Sequence, residues 1–421
     1  MRSSLWMCAL LCAASTAAAQ KPDSAKKPLT KADSATADSI ALMKELEKMQ
    51  SPAAPAPART TGGQPTQRML PDFSAVGDLV GDLSPKGSTQ EGGARFGVRE
   101  VEVAIQSVVD PYFRGDVFLG ISDAEGISIE QAFLTTTSLP YGLQARLGRF
   151  LMPVGKQTTT HRHDLHTVEY PWVIQKFFGP EGLKGTGVTV SQVVAPFGFY
   201  QELQLSVVDR FGEKLEGLVT ATPVNKNLDG LGYSARLRNY WDLSQSTNLE
   251  LSGSAITGQR EAALPADFTT ADPSITASLA RQTVVGGDLT FRWRPLQQGL
   301  YKSFILQAEV MRQINERPTL PAGTFSPGAL HVLPNDYTGS YVFARWQLSQ
   351  RLFLGGRYDN VQDPEQFGAT MTAGSAVLEW FPSEFSKLVA QYERVNQRGE
   401  ATNRILLQAS FSVGPHKPHP F

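Results

Sequence analysis

Between residues 71 and 414 the sequence is divided into short segments in which apolar and polar side chains alternate, with turn-forming residues between them. In the last segment the two sets of alternate positions carry opposite chemistry, with Ile405, Leu407, Ala409, Phe411 and Val413 on one face and Gln408, Ser410 and Ser412 on the other. A period of two is typical of a strand with one apolar and one polar face. A strand that separates lipid from a water-filled lumen has this pattern.

The connections between these segments alternate in length. We count about sixteen segments, an even number as in closed bacterial barrels. Every second connection is a tight turn, such as Leu139 to Gly142. The intervening connections are mostly long, and the longest cover residues 152–184, 210–229, 259–280 and 314–335. Short turns on one rim and long loops on the other are typical of outer-membrane barrels. The sequence therefore predicts an all-β fold, an antiparallel transmembrane β-barrel over residues 71–414, with a C-terminal tail at 415–421.

The first nineteen residues have the composition of an export signal. Arg2 supplies a positive start, residues 5–14 form the apolar middle, and Ala17 to Ala19 are the small residues that signal peptidase requires. We predict a signal peptide over residues 1–19. A lipoprotein signal is the alternative, but Leu10 and Leu11 precede Cys12, where a lipid-attachment site needs small side chains.

Residues 20–70 are rich in Ala, Lys, Asp, Ser, Thr and Pro, and large apolar side chains are few. Such a segment cannot offset the entropy of ordering its chain, so we predict a low-complexity periplasmic tether. Apolar residues from Ile40 to Met49 recur at a spacing of three, which indicates a short amphipathic helix. This helix either assists oligomerisation as a coiled-coil stub or forms only transiently.

Composition excludes several other classes of protein. No internal stretch approaches the roughly 18 apolar residues of a membrane helix. The 39 basic and 40 acidic side chains leave a formal charge of -1, so a nucleic-acid partner is not predicted. Both cysteines, Cys8 and Cys12, lie in the signal, which excludes disulfides and thiolate metal sites from the exported chain. The predicted partners are outer-membrane lipid, the barrel-assembly machinery, small solutes and a possible second copy of the chain.

Four of the six tryptophans share a position near the short turns. Each lies on the apolar face of its segment, shortly before a turn: Trp241, Trp293, Trp346 and Trp380. An indole at that depth buries its ring and hydrogen-bonds at the headgroup level, so we predict an aromatic girdle. Tryptophans at the strand ends of a soluble sandwich are the alternative, but a sandwich does not explain the export signal and the loop asymmetry.

Three motifs resemble those of an uncharacterised family of Gram-negative outer-membrane proteins. They are Pro71-Asp72-Phe73 through Asp78, Arg99 to Glu102 through Pro111, and Phe178 to Leu183 with Thr186-Gly187. The ending from Gly414 to Phe421 is similar too. The family is similar in layout to the phosphate-selective porins O and P, which implies a porin-like barrel in the outer membrane. Some members are described as TonB-dependent receptors, but such a transporter needs about 22 strands and a folded plug.

The segment 152–184 follows the fifth strand and combines charged residues with aromatic ones. Its charged and titratable residues include Lys156, His161, Arg162, His163, Asp164, His166 and Lys176. A loop here that entered the lumen would narrow the pore and set its size and charge selection, so we predict a constriction loop. An exposed lid is the alternative.

The run from His161 to His166 also invites a metal-site interpretation, because imidazoles and a carboxylate suit Zn²⁺ or Cu²⁺. The spacing matches no standard motif. We therefore predict no metal site, and histidines that only add positive charge at low pH are the preferred alternative.

The alternation of inward and outward side chains along each segment predicts that eight arginines lie on the pore wall: Arg146, Arg236, Arg238, Arg292, Arg294, Arg345, Arg351 and Arg357. Acidic residues, among them Glu102, Glu202 and Glu250, lie on the same inward face, so the wall carries charges of both signs.

Neither a G-x-S-x-G nor an H-E-x-x-H motif is present, so no catalytic residue, cofactor or enzymatic activity is predicted. The sequence predicts a channel for passive diffusion of small hydrophilic or anionic solutes. A loop-closed barrel with a binding or structural role is the alternative.

Overall fold

The computed structural model describes residues 71–90, 93–122, 126–211, 225–261, 279–315, 336–364 and 369–414. The predicted signal peptide, the tether and the C-terminal tail lie outside these residues and stay predictions.

Sixteen antiparallel strands close into a barrel, with β1 paired to β16. The strands are β1 Asp72–Asp82, β2 Phe96–Val108, β3 Phe113–Ser122, β4 Gly126–Thr136, β5 Leu143–Leu151, β6 Lys184–Val194, β7 Tyr200–Val208, β8 Gly232–Ser244, β9 Thr247–Glu261, β10 Leu279–Trp293, β11 Phe304–Asn315, β12 Asp336–Ser349, β13 Leu352–Asp363, β14 Ala369–Ser383, β15 Ser386–Gln397 and β16 Glu400–Val413. Within the described residues, an α-helix, α1, covers Trp172–Phe178. In the part of the chain that the structure describes, no helix is long and apolar enough to cross a membrane. The predicted fold class is confirmed.

The connections alternate as expected, except that three links on the long-loop rim are short: residues 123–125, 364–368 and 398–399. The links are short at the rim where β1 begins and β16 ends, for example Gln350 and Arg351 between β12 and β13. The opposite rim carries the 32-residue segment 152–183 between β5 and β6. The last link on that rim consists only of Arg398 and Gly399, both at positive φ, as a tight hairpin turn requires.

The two faces of the wall differ as the period of two predicts. On β16, Gln408 is 2% exposed and Ser410 is 1% exposed, while Leu407, Phe411 and Val413 are exposed on the other face. The buried face points into the barrel, and the apolar face points outward. A closed ladder leaves no unpaired edge in lipid, and the outward apolar face removes the cost of contact with hydrocarbon. The chain is therefore an outer-membrane β-barrel.

The tryptophans of the predicted girdle lie at the short-turn ends of their strands. Trp293 is the last residue of β10, and its ring stacks on Trp346 with centroids 5.7 Å apart. Trp346 and Trp380 are exposed on the outer face. Trp241 packs against Phe199, with centroids 4.8 Å apart. This placement agrees with indoles at one headgroup level.

Candidate functional site

The segment 152–183, which the sequence predicts to be a constriction loop and which keeps that name below, folds against the inner face of the barrel wall. Its apolar side chains share one core with inward side chains of β5, β7 and β9 to β15. The loop contributes Met152, Val154, Leu165, Tyr170, Val173, Ile174, Phe177, Phe178 and Leu183, and the wall contributes Ile256, Val284, Met311, Tyr341, Phe343, Val361, Met371 and Val395. Burial of these apolar side chains holds the loop against the wall, because each Å² of apolar surface removed from water contributes about 25 cal/mol.

Polar wall side chains bind the backbone of the constriction loop. Four loop N–H groups donate to the wall: Gly155 to Ser254 Oγ at 3.0 Å, Lys156 to Glu309 Oε1 at 3.1 Å, Val168 to Gln391 Oε1 at 2.8 Å and Trp172 to Asp359 Oδ1 at 3.0 Å. In the other direction, the buried Lys387 ammonium donates to the carbonyls of His163 and Leu165. Irregular backbone at membrane depth requires such partners, because lipid offers none.

Gly155 is required where the loop meets β11. Its φ is +76°, and a Cβ there would overlap the carboxylate of Glu309 and approach the methyl group of Met311. Gly155→Ala is expected to destabilise the protein by about 3 kcal/mol, from left-handed strain and overpacking together. Urea titration of the barrel in lipid vesicles, followed by tryptophan fluorescence, measures this loss.

Gly198 provides the control for backbone strain alone. Its φ is +79°, and nothing lies within 4 Å of the added Cβ. Gly198→Ala is expected to cost about 1 kcal/mol. Equal losses in the two variants would contradict the tight contact between the loop and Glu309.

A cavity of about 480 Å³ remains between the constriction loop and the wall formed by β3 to β9. Its charged lining consists of Arg146, Lys156, Arg236 and Arg238 with Glu202 and Glu250, and His161 lies at its margin. Four cations against two carboxylates give a net charge of +2 with His161 neutral.

Most of these charges form ion pairs. Lys156 Nζ lies 2.9 Å from Glu250 Oε1, and Arg238 lies 2.8 Å from Glu202. Arg236 pairs with Asp288 at 3.1 Å and donates to the carbonyl of Gly155. Arg146 differs, because its guanidinium lies over the Phe133 ring at 4.4 Å and its Nε has no hydrogen-bond partner. Arg146 has no carboxylate ion pair within the described residues, so it is the cation of the lining that is freest to attract an anion.

The eight predicted pore arginines separate into distinct groups. Arg146, Arg236 and Arg238 line the cavity, and Arg292 lies 3.6 Å from Glu250. The prediction needs correction for the other four. Arg345 and Arg357 are buried beneath the constriction loop, paired with Glu379 and Asp359 respectively. Arg294 and Arg351 lie outside the strands and donate to turn carbonyls, those of Gly299 and Pro382.

The three loop histidines divide into two groups, although the sequence suggested one: His161 and His163 lie together, and His166 lies apart. His161 lines the cavity and lies 2.7 Å from Glu102. His163 is buried, and its ring stacks on that of His161. His166 lies 3.2 Å from Glu379, on the wall beneath the loop.

The environments of the histidines shift their pKa values in different directions. Burial lowers the pKa of His163, and burial together with the charge of Arg345 lowers that of His166. For His161, burial opposes the charged form, but the hydrogen bond and charge of Glu102 outweigh it and raise the pKa. His163 and His166 therefore do not supply the pore with positive charge at neutral pH.

The remaining predicted loop residues lie away from the cavity lining. Asp164 is exposed, and Arg162 is half-buried. Sequence reasoning missed Gln131, which bonds His161 at 2.8 Å and accepts from the N–H of Leu151. Its position on the inward face of β4 was the available signal.

Comparisons with known proteins agree with the barrel. No family model matches the chain. An uncharacterized protein of Aquifex aeolicus is 26% identical over 347 residues, which cover 77% of this chain and 70% of that protein. The outer membrane channel DcaP of Acinetobacter baumannii aligns over 82% of this chain and 97% of its own, with a TM-score of 0.51 and 12% identity. Pseudomonas putida OprB aligns over 82% and 95%, with a TM-score of 0.50 and 9% identity.

At such identities the likeness shows the fold alone, a porin-like outer-membrane barrel. The finer resemblance to phosphate-selective porins is not tested by these matches. The absence of enzymatic activity also stays a prediction.

Proposed function

We propose that this protein is a channel for passive diffusion of small hydrophilic solutes, with a preference for anions. The observation that carries the proposal is the cavity beside the constriction loop, whose lining has a net charge of +2. Fixed charge in a narrow, poorly screened passage governs selectivity more than the average charge of the wall does. The ion pairs elsewhere on the wall therefore do not remove the preference for anions.

The solute class follows from the same chemistry. Arginine guanidinium groups bind carboxylate and phosphate oxygens in a bidentate manner, and Arg146 lines the cavity without a carboxylate ion pair in the described part of the chain. The resemblance to the phosphate-selective porins O and P makes inorganic phosphate the first multivalent anion to test. Outer-membrane lipid and the barrel-assembly machinery are the partners expected for any such barrel, and self-association remains a further prediction.

Single-channel recording in planar bilayers tests the proposal. We expect discrete conductance steps, and the reversal potential in a KCl gradient should have the sign of chloride preference. Phosphate should reduce the chloride current at concentrations at which a matched cation substitution has no effect. A cation-preferring channel would contradict the anion preference but not the pore.

One observation favours a second candidate function, a loop-closed barrel with a binding or structural role. The core shared by the constriction loop and the wall fills the lumen beside β9 to β15. That alternative predicts no ion conductance from protein that is folded and inserted.

A further inference from the structure

One cluster of potential metal ligands lies where the constriction loop meets β2. Glu102, His161 and His163 each bring one ligand atom to within 4.8 Å of the others. His161 Nδ1 is 2.7 Å from Glu102 Oε2, and the rings of His161 and His163 stack with centroids 5.4 Å apart. His166, the third histidine of the loop, lies against Glu379 on β14 and is not part of this cluster.

Glu102 differs from most other buried carboxylates of the wall in the kind of group that it contacts. Glu250, Asp288 and Glu379 each pair with an arginine or lysine. Glu102 is only 4% exposed, and within the described residues its ion-pair partner is an imidazole. A buried carboxylate and an imidazole at this distance share either a proton or a cation, because either group left charged alone would cost several kcal/mol.

We propose that Glu102, His161 and His163 bind one divalent transition-metal ion, of the Zn²⁺ class. Two imidazoles and one carboxylate form the donor set that zinc takes in open sites, with water completing the coordination. His161 also lines the cavity, so an ion can reach the cluster from the lumen. Gln131 Nε2 lies 2.8 Å from Nε2, the other ring nitrogen of His161, and this contact limits rotation of the ring.

The site joins the loop to β2. This strand carries Glu102 but contributes no side chain to the apolar clusters that the loop forms with the wall. A bound ion therefore fixes the loop at the margin of the cavity and adds positive charge there. This inference does not depend on transport, because it concerns binding to the folded barrel.

Binding of zinc and cobalt to the full-length exported protein, purified in detergent without a polyhistidine tag, tests the proposal. Zinc alone should bind once per chain in titration calorimetry, and Co²⁺ should give the visible absorption of a four-coordinate nitrogen and oxygen site. His161→Asn and Glu102→Gln should each weaken zinc binding at least tenfold and abolish the Co²⁺ band. His166→Asn is the matched control and should leave both signals unchanged.

Heat-modified mobility in gels confirms that each variant is folded, and His163→Gln provides a second ligand variant if His161→Asn does not fold. Absence of zinc and cobalt binding to the wild type would overturn the proposal and leave a proton shared by His161 and Glu102. Equal binding by all four variants would overturn it too, because the ion would then lie elsewhere. Neither result affects the conductance test of the proposed channel.

Discussion

Removal of the constriction loop should raise the single-channel conductance several-fold. Replacing residues 153–182 by a flexible linker of about four residues leaves β5 and β6 joined, because Leu151 and Lys184 are register partners in neighbouring strands. A sixteen-stranded barrel without an inward loop encloses an aqueous channel. The lumen beside β9 to β15, now filled by the loop core, then becomes available to ions.

The barrel should survive this deletion. Its hydrogen-bonded ladder closes between β1 and β16 without help from the loop. Wall charges that now contact loop backbone, such as Arg357 and Lys387, would become hydrated and would not remain buried without partners. Heat-modified mobility and circular dichroism should match those of the wild type. Unchanged conductance from a folded deletion variant would show that the loop does not restrict the pore.

The strand count and the inward and outward faces could be predicted from the sequence because a barrel wall separates two solvents. Most inward positions are polar or face the loop and most outward positions are apolar, so the alternation is present in nearly every segment. Gln408 and Leu407 on β16 are an example, with opposite burial at adjacent positions. The local alternation of apolar and polar side chains therefore predicted most of the fold.

The identity of the cavity lining could not be predicted in this way. Parity gave Arg146 and Arg357 the same inward assignment, yet Arg146 lines open space and Arg357 bonds the carbonyl of Glu169 in the loop. The difference depends on which part of the wall the loop core covers. Contacts such as His166 with Glu379, which are 213 residues apart, determine that choice. The spacing of residues within the loop gives no information about such long-range contacts.

The same limit applies to the histidines. Their spacing suggested a common environment for all three, but only His161 and His163 share one, and His166 follows the short 3₁₀ turn at Arg162–Asp164. His161 faces the cavity, while His166 passes beneath the loop to the opposite wall. Irregular backbone has no fixed side-chain period, so neighbours in sequence can face opposite ways.

Charge substitutions at the cavity should abolish and then reverse the ion selectivity. The lining carries four cations and two carboxylates, a net charge of +2, so Arg146→Glu lowers it to 0. Adding Arg238→Gln lowers it to -1, because one more cation is lost. Unit charges about 4 Å apart interact by about 1 kcal/mol even in water, so each step should change the anion-to-cation permeability ratio by roughly five- to tenfold. Reversal potentials in a KCl gradient measure that ratio.

Arg146 is the suitable first target because it has no carboxylate ion pair in the described part of the chain, so its reversal breaks no salt bridge. Arg294→Glu is the matched control: the same reversal of charge occurs in an exposed periplasmic turn, where Arg294 bonds Gly299. Charge there is screened within about 10 Å at 0.1 M salt, so selectivity should stay near that of the wild type. If Arg294→Glu shifts the reversal potential as much as Arg146→Glu does, selectivity arises at the rim, and the cavity beside the loop does not control which ions pass.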